Sequence, residues 1–145
     1  MSFALPPIVK TAERLMLEIE QAVRGFARFH KYAIGAELRE LATKAATLAH
    51  RAWRDQERVS KWVAKLRWQV DKLKLSMQIG QRLQAFAGLR QFEMIMRIAI
   101  DLGRQAGGWH RELMKHPKGQ NPHRHGGSER AQILSTRIAS SEANL

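Results

Sequence analysis

The chain has 145 residues, with 25 Lys and Arg against 13 Asp and Glu, a formal net charge of +12 and a sequence pI of about 11.1. That length bounds it to one small domain with a short extension, and the absence of Cys excludes disulfide staples, cysteine-ligated zinc and thiol nucleophiles. The charge exceeds the magnitude of about 2–8 that keeps a small domain in solution. It points to a polyanionic partner, nucleic acid before an anionic membrane or an acidic protein surface.

The opening MSFALPPIVK has no basic start and only a very short apolar stretch before its two prolines, unlike a secretory signal. No apolar run approaches the ~18 residues of a membrane span, and MIMRIAI is broken by Arg97. A cytoplasmic location is the expectation. Pro6 and Pro7 suit a first helical turn, where a missing N–H goes unused. The first helix then carries Ile8, Ala12, Leu15, Ile19, Ala22 and Phe26 in steps of four and three. Gly25 and RFHKYAIG mark its end and a turn. A second helix repeats the pattern with Ile34, Leu38, Leu41, Ala45, Leu48 and Ala52, its alanines allowing close approach.

Asp55 is a candidate N-cap for the third helix. On that helix Trp62, Leu66, Val70, Leu73 and Met77 form a core stripe, yet Trp68, Leu75, Ile79 and Leu83 form another on the far side. Between the stripes run Arg58, Lys61, Lys65 and Lys72 on one flank, within about a 60° sector, and Arg67 and Lys74 on the other. Single exposed apolar residues are ordinary, but a stripe of four is not. It predicts a subunit interface, with base stacking by Trp68 beside Arg67 as the other reading. The two basic rows are the candidate contacts for nucleic acid or a protein partner.

A turn around AFAGL, with Gly88 as breaker, leads to a fourth helix bearing Phe92, Ile95, Ala99, Leu102, Ala106, Trp109 and Leu113. This alternation of three and four over three heptads is bundle packing. Gly103 and Gly107, four apart, suggest close approach of another helix, or a fraying end. The expected fold is all-α, an up-down-up-down antiparallel four-helix bundle over residues 1–115. Residues 116–145 form a tail rich in Pro, Gly, His and Asn, with a possible short terminal helix in ERAQILSTRIAS. Up to residue 115 there are 21 Lys and Arg against 11 acids, so the folded part carries +10 and the tail the remaining +2.

Chemistry finds little support. Di-iron bundles need Glu-x-x-His pairs facing inward, and no Glu here has His three residues later. The tail's His116, His123 and His125 read as part of a polar linker, and no glycine-rich phosphate loop is present. His30 and His110 read as surface or turn residues. No enzyme activity, metal or cofactor is expected.

Three stretches, HKYAIGAELRELA, VDKLKLSMQIGQRL and above all QFEMIMRIAIDLGRQAGGW, resemble the accessory variability determinant proteins of diversity-generating retroelements. They also resemble the wider four-helix-bundle family that includes proteins encoded in ribosomal RNA intervening sequences. The resemblance spans roughly residues 5 to 115, strongest from Ile98 to Trp109, and rests on packing residues with no catalytic signature. It implies a basic bundle assembled as a homopentameric barrel. Such a protein binds the reverse transcriptase and its template RNA and supports adenine-directed mutagenic copying, without chemistry of its own. The alternative it leaves open is an intervening-sequence protein with no reverse transcriptase partner. A basic amphipathic bundle at anionic membranes is the competing class.

Overall fold

The structure, a computed structural model, describes residues 5–115; the tail expected over residues 116–145 lies outside the described residues. It comprises α1 (Pro7–Arg24), a single turn α2 (Arg28–Lys31), α3 (Ile34–Arg54), a 3₁₀ turn (Gln56–Arg58), α4 (Val59–Arg82) and α5 (Leu89–Lys115). The four long helices are those read from the apolar spacing. Each packs on two neighbours, in the cyclic order α1, α3, α4, α5 and back to α1.

Contacts along each seam run in opposite senses. Glu13 pairs with His50 and Glu20 with Arg39, so α1 and α3 are antiparallel. The Gln69 side-chain amide donates to the Leu41 carbonyl at 3.2 Å, and Trp62 lies beside Arg51, which orients α4 against α3. Val70 and Lys74 face Gly103 across α4 and α5, and Gln105 donates to Thr11 Oγ1 at 2.9 Å across α5 and α1.

The core follows the stripes. Leu15, Leu38, Leu66, Val70, Leu73, Met77, Ile95, Leu102 and Trp109 are buried, burial of each large side chain being worth roughly 1.5–3 kcal/mol. One end of the bundle is closed by three rings: Phe86 meets Phe26 edge-on at 5.2 Å and Phe92 at 5.6 Å between centroids. The other end carries Trp53, Trp62 and Trp109.

Four local expectations are corrected. Asp55 does not cap the third helix: it ends α3, the 3₁₀ turn intervenes, and α4 starts at Val59 without a side-chain cap. Its carboxylate instead accepts from the Trp62 indole and from Arg58. Trp62 is only half-buried, because it sits at the α3 edge of its stripe, where its N–H reaches Asp55.

The turn falls where AFAGL places it, with Gly88 just before α5, but α4 is broken at Gln84 and not at Gly88. Gln84 adopts φ 59°, its N–H bonds the Gln81 carbonyl, and Ala85 N–H bonds the Gly80 carbonyl at 2.9 Å. That pair of bonds is a Schellman ending, with a side chain where glycine is usual. Gly103 and Gly107 do not mark a tight crossing either. A Cβ on Gly103 would meet Val70 and Lys74 at an ordinary 3.6 Å, and one on Gly107 would meet nothing within 4 Å. The tight glycine is Gly35, where a Cβ would lie 2.8 Å from Val23 Cγ1 and 3.1 Å from the His30 carbonyl.

Candidate nucleic-acid interface

Trp62 occupies the edge where α4 leans on α3. Its indole N–H donates to Asp55 Oδ2 at 3.0 Å, the same oxygen that accepts from Arg58 at 3.0 Å. These hydrogen bonds favour the carboxylate, the indole contributing most, and hold the Asp55 pKa below its usual value. Three cations then gather around the ring: Arg51 and Lys61 at 5.0 Å from its centroid and Lys65 at 5.6 Å. Each is within the ~6 Å over which a ring quadrupole attracts a cation.

The flank expected from α4 alone is therefore a seam between two helices. Arg58, Lys61 and Lys65 are exposed, and Lys72, half-buried, continues the row. Arg51 joins them from α3, and Arg54 lies over Trp53 at 5.5 Å nearby on the same helix end. Arg51 was not among the residues singled out by spacing. The antiparallel register brings it in, and a periodicity confined to one helix carries no signal of that register.

The second row divides. Arg67 is exposed and close enough to His110 on α5 to act on it electrostatically. Lys74 is more enclosed than expected: its side chain is 31% exposed, 3.7 Å from Asp71, because it lies in the α4–α5 seam. His110 has its Nδ1 shielded with no hydrogen-bond partner. Burial first, then the charges of Arg67 and Arg111, push its pKa below the ordinary 6.5.

The far face of α4 is apolar and open. Trp68 is 64% exposed, Leu75 58%, Ile79 42% and Leu83 49%. Trp68, Leu75 and Ile79 stand opposite the inner stripe, and Leu83, just past the last helical residue, lies near their edge. No helix among the described residues is long and apolar enough to cross a membrane, and no group of three His, Cys, Asp or Glu among them is placed to hold a metal. Comparisons with protein-family models, with curated proteins and with solved structures found no match.

Proposed function

We propose that this chain is a non-enzymatic, self-associating RNA-binding bundle, an accessory subunit to a reverse transcriptase, as its resemblance to retroelement accessory proteins implies. The observation that supports it most is the convergence of Arg51, Lys61 and Lys65 on Trp62 in the α3–α4 seam, with Arg58 joined through Asp55 and Lys72 continuing the row along α4. Asp55, a carboxylate at that point, is bound to Trp62 and Arg58. A cationic seam of this kind grips phosphates and reads few bases, so binding is sequence-tolerant and electrostatic.

The open stripe of Trp68, Leu75, Ile79 and Leu83 is the surface that a second copy covers. Ring closure into a pentamer repeats the seam around a barrel and converts a modest local charge into a belt. Each added phosphate contact then strengthens binding within one assembly. Arg67, with Lys74 behind it, supplies a subsidiary contact on the opposite flank.

The test combines Lys65→Glu with Lys72→Glu. The variant is expected to keep its helicity by circular dichroism and its size by sedimentation, and to lose binding to the reverse transcriptase–RNA particle and mutagenic copying. Wild-type affinity for single-stranded RNA should fall with salt, by a log–log slope of about −0.7 per phosphate contacted. Salt-independent binding, or normal copying by the folded variant, would remove the α3–α4 seam from the mechanism. A genomic neighbourhood with a reverse transcriptase and a template–variable repeat pair separates this reading from an intervening-sequence protein.

A further inference from the structure

At the end of the bundle opposite Trp62, the chain passes from α1 to α3 through the single turn α2. None of its residues is buried. Phe29 is 73% exposed and Tyr32 70%, the two most exposed of the large apolar side chains in the described residues. The turn packs on α3 through its backbone, but the rings of Phe29 and of Tyr32, the residue that ends it, face water and add little to the core. It is nevertheless firmly held. His30 and Lys31 N–H groups bond the Ala27 carbonyl at 2.9 and 2.8 Å, and Ala33 N–H bonds that of His30 at 3.2 Å. Below them Gly35 lets α3 come close to the His30 carbonyl, where a Cβ would lie at a tight 3.1 Å.

The two rings are three residues apart, the separation that brings side chains side by side on a helical turn. The Phe29 ring already has the His30 imidazole tilted against it, 4.2 Å between centroids. Positive charge is interleaved with these rings. Arg28 and Lys31 fall within residues 24–36, a stretch with no carboxylate, while Arg24 at its start pairs with Glu20. Arg82 and Arg90, both exposed, flank the α4–α5 turn at the same end. Flat aromatic faces alternating with cations match a strand in which bases alternate with phosphates. A lipid surface would need a continuous apolar face, and one helical turn does not supply it.

We propose that Phe29 and Tyr32 form a second contact for single-stranded RNA, one that stacks unpaired bases, with Arg28 and Lys31 on the adjoining phosphates. It rests on the RNA-binding reading above and adds a different chemistry at a different place. The Trp62 seam holds phosphates; this end holds bases. Trp62 and Arg82 are separated by 20 residues of helix, roughly 30 Å at 1.5 Å per residue.

The test uses the full-length chain and two probes: a short fluorescent oligouridylate and its abasic counterpart with the same number of phosphates. Wild-type protein is expected to prefer the base-bearing strand by about five-fold or more, the lower end of what one stacked base contributes. The Phe29→Ala, Tyr32→Ala double variant should lose that preference with abasic binding unchanged, whereas Lys65→Glu, Lys72→Glu should weaken both strands alike. Because Tyr32 is the chain's one tyrosine, fluorotyrosine gives a single ¹⁹F signal. That signal should move with the base-bearing strand and stay still with the abasic one. Equal wild-type affinity for the two strands, or a preference that survives in the double variant, overturns this contact while leaving the RNA-binding reading intact. Binding of neither strand overturns both. Capture by anionic phospholipid vesicles that is lost in the double variant, with oligouridylate binding unaltered, reassigns this end to a membrane and also overturns it.

Discussion

The two faces of α4 are made of the same kinds of residue and have opposite fates. Val63, Leu66, Val70, Leu73 and Met77 are sealed in the core, while Trp68, Leu75, Ile79 and Leu83 stand in water. Hydrophobicity alone therefore does not tell which residues hold the fold. The inner stripe is matched by stripes on three other helices, and the outer one has no counterpart among the described residues. What the difference teaches is that one face is committed to folding and the other is left open, the face proposed above for assembly.

The sharpest way to break this contrast is to shorten the same side chain on each face. Leu73→Ala should cost about 2–5 kcal/mol, since its site is fully enclosed. Leu75→Ala should stay within about 0.5 kcal/mol when measured on dilute, dissociated protein by urea unfolding. Equal losses would mean that the outer face contributes to the fold of one chain. Next in size is Leu75→Glu, which places an unpaired charge in the proposed contact between copies, at a cost of several kcal/mol. Sedimentation should show smaller species with unchanged helicity. A wild-type monomer would remove the assembly role of that face.

A smaller effect comes from the point where both faces end. Gln84 holds a left-handed conformation that costs an L side chain roughly 1–2 kcal/mol. Gln84→Gly should raise stability by up to about 1 kcal/mol, less what the looser unfolded chain gives back, read as a higher thermal midpoint. The smallest effect concerns the lateral flank of α4, where Arg67 faces His110. The folded imidazole has a pKa below 6.5, so the unfolded chain binds a proton at a higher pH than the folded one. Stability is full above about pH 6.5 and declines as pH falls toward the folded value. His110→Gln should flatten that decline in urea midpoints taken across the acid range.

Much of the fold was legible because each long helix repeats its apolar residues with helical spacing. Ile8 through Phe26 and Ile95 through Trp109 fall in the core as their steps predict. The open placement of Trp68, Leu75 and Ile79 was legible for the same reason. The surroundings of Trp62 were not. They depend on which residues of α3 stand opposite α4, a register set by packing two surfaces together and written on neither. Hence Arg51 was missed, Asp55 was read as a backbone cap, and Lys74 was expected in the open. Gln84 escaped notice because a left-handed glutamine has no compositional signature, and Gly88 nearby offered a more obvious breaker.

Three of the four seams join helices that follow one another along the chain, and each can zip up as a hairpin. The seam between α1 and α5 is different: it is the sparsest, and the bond from Gln105 to Thr11 spans 94 residues. Closed by itself, so long a loop carries the largest entropic cost of the four, which predicts that this side of the ring shuts after the hairpins. The buried Gln105 amide, held by Thr11 and Asp101, then acts as a latch. A slip of one helical turn there would strand a polar group in the core, which makes a wrongly closed ring expensive and easily reopened.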